Sequence, residues 1–137
     1  HTENNLGSGG GWHRDRSDSH QTKAMLYLSD VGEEEGPFQY LYGSHKLLNK
    51  IYDSLFHGFH FNKTRFNETQ VSKLINKRYQ TKVFAEKKGT LIIFDSSGLH
   101  RGKPIQSKIE RSSLTNYFWF NQKIPDHIKS LLQKKAL

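Results

Sequence analysis

His13-Arg14-Asp15 sets an imidazole and a carboxylate two positions apart, and in extended chain residues i and i+2 project to the same side. The two can therefore share one metal ion. A third ligand is available at His100, which follows the apolar segment Leu91-Ile92-Ile93-Phe94 and lies between Gly98 and Gly102, where a strand end can aim a side chain inward. Two histidines and one carboxylate occupy one face of an octahedral ferrous ion and leave positions open for substrate and dioxygen. Arg111 follows His100 and opens a stretch in which Arg111, Ser113, Thr115, Tyr117 and Trp119 share one face of an extended chain. Its planar, permanently charged fork suits a carboxylate gripped by two hydrogen bonds. Ser113, on the same face, can add a third. A second histidine pair, His57 and His60, has no carboxylate motif beside it and makes a weaker metal site.

Short strands must position these groups. Lys23 to Leu28 reads as one, ended by Ser29-Asp30 and the acidic turn Gly32 to Gly36. Phe38 to Tyr42 reads as a second, with the two expected to be neighbours across that turn. Lys82 to Ala85, Thr90 to Phe94 and Arg111 to Phe120 follow, the last with a polar and an apolar side. Val71, Leu74 and Ile75 predict a short helix beginning near Asn67, and Ile128, Leu131 and Leu132 predict an amphipathic docking helix. The aromatic stretch within Leu47 to Phe66 matches neither period and is expected to form a lid over the site or a partner surface, so exchanging Phe59 should alter substrate affinity. Strands outnumber helices without a regular alternation, which favours an antiparallel sandwich or barrel over a parallel sheet.

Composition sets the outer bounds. The 137 residues contain no cysteine, which excludes disulfide and thiolate-metal frameworks, and Leu, Ile, Val and Phe make up about a quarter of them, enough for one core. The longest aliphatic or aromatic run is four residues, far short of the roughly 20 that span a bilayer. The first residues show neither a cationic start nor an apolar stretch, so a cytoplasmic location is expected. A net charge of +8 favours anionic partners, without naming them.

The ordered set of Trp12-His13-Arg14-Asp15, Leu28-Ser29-Asp30 with its acidic turn and Gly36, Gly43-Ser44-His45-Lys46, Gly89 to Asp95, Leu99-His100-Arg101-Gly102 and Arg111-Ser112-Ser113-Leu114 resembles the phytanoyl-CoA dioxygenase-like family of iron(II)- and 2-oxoglutarate-dependent oxygenases. The resemblance runs from about Trp12 to Phe120 and implies one mainly β domain: a double-stranded β-helix, or cupin-like jelly roll, with a few short helices. It implies iron held by His13, Asp15 and His100. Arg111 would grip the distal carboxylate of 2-oxoglutarate, with Ser113 beside it and Met25 as a second wall. His45 is not a ligand in this pattern.

Family members carry a helical region and a first core strand ahead of the His-x-Asp motif, and these are expected to be missing from the 137 residues. Dioxygen would be the oxidant, and hydroxylation of a C–H bond the default outcome, since Asp15 stands where related halogenases have a small residue. A small-molecule substrate, anionic in keeping with the charge, is expected. A nucleic-acid dealkylase is a second reading, disfavoured because Asn116 and Tyr117 stand where such enzymes carry another arginine. A non-catalytic jelly-roll binding module is a third.

Overall fold

Glycine-rich and acidic breaks cut the chain into short extended pieces. The computed structural model, which describes residues 10–15, 21–75, 77–106, 111–119 and 126, assembles six of them into two antiparallel sheets. The strands are β1 (Gln21–Tyr27), β2 (Phe38–Leu41), β3 (Thr81–Phe84), β4 (Leu91–Asp95), β5 (His100–Gly102) and β6 (Ser113–Trp119), with helices α1 (Leu47–Phe56) and α2 (Glu68–Ser72) between β2 and β3. One sheet has the order β4-β1-β6, with Met25 opposite both Ile92 and Thr115. The other has the order β3-β2-β5, with Tyr40 opposite His100. The chain changes sheet from β1 to β2 and again at each step from β3 to β6, which is the winding of a double-stranded β-helix. The expected jelly-roll architecture is the observed one.

One expected pairing is replaced by another relationship. β1 and β2 are not neighbours across the acidic turn; they belong to opposite sheets and face each other through the core. The Tyr27 hydroxyl accepts from the Phe38 N–H at 3.0 Å and donates to the Phe84 carbonyl at 3.0 Å, tying the sheets together. A hairpin would have left the inward row of Lys23, Met25 and Tyr27 uncovered. Tyr27, Val31, Phe38, Tyr40, Ile92 and Phe94 fill the space between the sheets.

A second apolar cluster lies on the outer side of the β2 sheet and contains Trp12, Leu41, Phe59, Phe66, Val71, Leu74, Tyr79 and Leu99. The predicted helix near Asn67 is α2. Its capping box has the Asn67 side chain accepting from the Gln70 N–H at 2.8 Å and the Gln70 side chain accepting from the Asn67 N–H, an arrangement that satisfies two otherwise orphaned donors. Val71 and Leu74 are fully buried.

The stretch expected to be a lid or a partner surface is divided: Phe59 and Phe66 are buried, while Thr64 and Arg65 border a space beside His13 and Asp15. Its first half is α1, and Phe59 and Phe66 stack on each other inside the second core, their ring centres 4.5 Å apart. α1 turns its charged residues inward: Lys50 donates to Ser97 Oγ at 2.7 Å, and the Asp53 carboxylate receives Arg78 at 2.6 Å together with the Tyr79 hydroxyl. Leu48 and Leu55 face outward.

The apolar side of β6 also faces outward, where Leu114 and Phe118 join Leu91 and Ile93 on an exposed sheet surface. The side carrying Thr115 and Tyr117 faces inward instead. Phe120 and the predicted helix through Ile128, Leu131 and Leu132 lie outside the described residues. Among the described residues, no helix is long and apolar enough to cross a membrane.

Candidate metal centre

Alternation along Trp12-His13-Arg14-Asp15 sorts the motif into two jobs. Trp12 and Arg14 point into the second core, while His13 and Asp15 point the other way. The buried Arg14 guanidinium donates to the carbonyls of Phe59 at 2.8 Å and His60 at 2.7 Å, and through Nε to that of Lys63. This fork fixes the motif against the 59–63 loop. On the other edge, His13 and His100 exchange both backbone hydrogen bonds, and the Asp15 N–H donates to the Ser96 carbonyl at 2.9 Å. The His13 segment thus runs along the free edge of β5.

The three side chains converge: one ligand atom each from His13, Asp15 and His100 lies within 4.8 Å of the others. Two donors sharing one face of an octahedral ion at about 2.1 Å each stand about 3.0 Å apart, a separation that small side-chain rotations can reach. The His13 Nδ1 lies 2.9 Å from the Gly11 carbonyl and the His100 Nδ1 2.9 Å from the Gly98 carbonyl. A carbonyl only accepts, so each Nδ1 carries the proton and each Nε2 keeps its lone pair for a metal. The donor set and its outer hydrogen bonds fit a ferrous ion.

The electrostatics agree with that use. Burial pushes the His13 imidazole below its ordinary value, and burial together with the adjacent His13 takes His100 down to about 3. Both rings are therefore neutral at physiological pH, as ligation requires. Burial alone would raise the Asp15 carboxyl, but Lys23 and the Ser96 hydroxyl override it and hold the group below the usual carboxylate range. Lys23 Nζ is 2.6 Å from Asp15 Oδ2. Turned so that its amide meets a donor and an acceptor, Gln21 donates to the same Asp15 oxygen at 3.2 Å and accepts from the Trp119 indole.

A narrow cavity of about 80 Å³ adjoins this group, and His13, His100, Lys23, Met25, Arg111 and Thr115 help line it. Arg111 is threaded past Gly102, where a Cβ would stand 3.0 Å from both of its terminal nitrogens, and donates to the Gly36 carbonyl. Met25 is a wall of the cavity. Ser113 is exposed and does not line it; Thr115 takes the inward place beside Arg111. A shallower space of about 210 Å³ opens on the other side of His13 and Asp15, next to Thr64 and Arg65.

A larger cavity, about 510 Å³, is away from His13, Asp15 and His100, between the β3 and β4 edges, and shares only Phe94 with the cavity at the histidines. His45 lies on that larger cavity, in keeping with its absence from the ligand pattern. His57 and His60 are both exposed, and the group brought within reach of one ion contains neither. Lys23 is the site residue that the sequence reading missed. The available signal was the alternation of Lys23, Met25 and Tyr27 on the inward face of β1.

With this geometry in place, comparison with known proteins defines the class. The phytanoyl-CoA dioxygenase (PhyH) family model matches residues 2–113. That is most of the chain, which therefore belongs to this family and, with it, to the oxygenases of the iron(II) and 2-oxoglutarate type. No curated protein matches it.

Proposed function

We propose that the chain is an iron(II)- and 2-oxoglutarate-dependent dioxygenase that hydroxylates a C–H bond of a small or thioester-bound metabolite. The observation that carries this reading is the convergence of His13, Asp15 and His100, with both Nδ1 atoms engaged by carbonyls so that two Nε2 lone pairs and a carboxylate oxygen are left for one ion. When bound, iron with 2-oxoglutarate supplies the activation of dioxygen, one oxygen atom passing to succinate as carbon dioxide leaves and the other to the substrate C–H bond.

The chain's own residues do the rest. His13 and His100 contribute neutral nitrogen donors whose orientation the Gly11 and Gly98 carbonyls fix. Asp15 contributes the anionic donor. Arg111, at the far end of the cavity, pairs with the distal carboxylate of the oxo acid and so sets which way round it lies. Met25 and Thr115 bound that path on one side. Phe38 and Phe94, packed against the His100 ring at 5.8 and 5.2 Å, keep water from the inner side of the ligands.

The test is anaerobic addition of ferrous iron and 2-oxoglutarate, followed by dioxygen. The expected result is a visible charge-transfer absorption that is lost on admitting oxygen, with succinate formed even without primary substrate. Absence of both the absorption and succinate would overturn the reading.

A further inference from the structure

The ammonium group of Lys23 is an unusual neighbour for a metal centre. Lys23 is only 9% exposed, and β1 turns it into the space between the sheets, where it contacts Asp15 at 2.6 Å and stands 5.0 Å from the Tyr117 ring centre. Asp15 carries a single negative charge. An ion with two positive charges on that carboxylate leaves the ammonium beside a like charge and without sufficient neutralisation.

Among the described residues the cavity supplies no replacement. Its charged lining groups among the described residues are Lys23, Arg101 and Arg111, with no carboxylate among them. Arg101 is already engaged by Gln39 and Glu68 and lies over the Trp12 ring. A ligand carboxylate can supply the missing negative charge. In register Lys23 lies opposite Tyr117, while Arg111 precedes the Ser113 that faces Tyr27, so the two cations sit toward opposite ends of the β1–β6 pair.

We propose that Lys23 is a second anion-binding residue of the site: the counter-ion of Asp15 before metal uptake, and the receptor for a carboxylate at the metal end of the cavity afterwards. This rests on the reading given under the proposed function. The carboxylate can belong to the oxo-acid end of 2-oxoglutarate or to an anionic primary substrate, and the two sources separate experimentally.

The experiment uses manganese(II) as the probe metal, followed by magnetic resonance, with the wild type, Lys23→Met, Lys23→Gln and Lys23→Arg, after thermal melts identify which variants fold. Without oxo acid, removal of the ammonium should tighten manganese binding about threefold or more, because a competitor for Asp15 is gone, while Lys23→Arg stays near wild type. Oxalate, which offers a metal-end carboxylate and no distal arm for Arg111, and 2-oxoglutarate are then titrated into the loaded protein. Weakening of both by tenfold or more in the neutral variants assigns Lys23 to the oxo acid. Unchanged oxalate and 2-oxoglutarate binding, with loss of acetate binding to the 2-oxoglutarate-loaded protein, assigns it to a substrate anion. A folded neutral variant that matches wild type for manganese and for all three anions overturns the proposal alone. A wild type that binds neither manganese nor 2-oxoglutarate overturns it together with the proposed function.

Discussion

His13 and His100, far apart in the chain, exchange backbone hydrogen bonds in both directions, N–H to carbonyl at 2.9 and 2.8 Å, and their imidazole centres stand 4.2 Å apart. The backbone pairing itself brings the two imidazoles together. Their spacing is therefore part of the fold and does not wait for a metal.

Burial of these rings makes stability depend on pH in a definite direction. An unfolded histidine takes up a proton near 6.5, whereas folded His100 resists until about 3 and folded His13 is also shifted down. Between those limits the unfolded chain binds more protons, so stability is full above about pH 6.5 and falls as pH is lowered. Asp15, whose carboxyl Lys23 holds low, adds to the loss below about pH 4. Thermal melts of metal-free protein should show a flat melting temperature from pH 8 to 7 and a decline toward pH 5, with a shallower decline in His100→Gln. The same shifts move proton competition for the metal below the 6.5 that free histidine would give.

On the proposed function, Arg111 holds the distal end of 2-oxoglutarate. Arg111→Ala should weaken 2-oxoglutarate binding to the manganese-loaded protein by about thirty-fold to several thousand-fold, corresponding to roughly 2 to 5 kcal/mol for an unpaired buried carboxylate. Arg111→Lys should recover only part of this, because an ammonium cannot make the paired contact. Calorimetric titration checks it, and undiminished affinity in Arg111→Ala would remove Arg111 from the site.

Phe59 changes role once the fold is known. Its ring is 1% exposed and sits against Phe66 in the core that also holds Trp12. Phe59→Ala should therefore destabilise the protein by about 3 to 5 kcal/mol through the cavity it leaves. Chemical denaturation measures this, and a small loss of stability with a large change in substrate affinity would restore the lid expected from sequence.

The grouping of His13, Asp15 and His100 was legible because the first two are local to one extended segment and the third, which opens β5, follows an apolar strand and lies between glycines. The jelly roll was legible through the family resemblance and the short, regularly broken strands. α1 was not, and the reason is physical: Lys50 and Asp53 are its buried residues while Leu48 and Leu55 face solvent, so the usual sign of the amphipathic pattern is reversed. The hairpin expected between β1 and β2 failed because Tyr27 and Phe38 meet across the core, a pairing that local turn chemistry does not encode. Lys23 was passed over because a strand lysine reads as a solvated edge, and only the opposing Asp15 gives it a buried place.

The central claim is that His13, Asp15 and His100 hold one metal ion. Titration of the metal-free protein with manganese(II), followed by the loss of the free-ion magnetic resonance signal, tests it most directly. One ion per chain, with binding weakened at least tenfold in folded Asp15→Ala and His100→Ala variants, is the expected result; no saturable binding, or equal binding in those variants, would contradict the account.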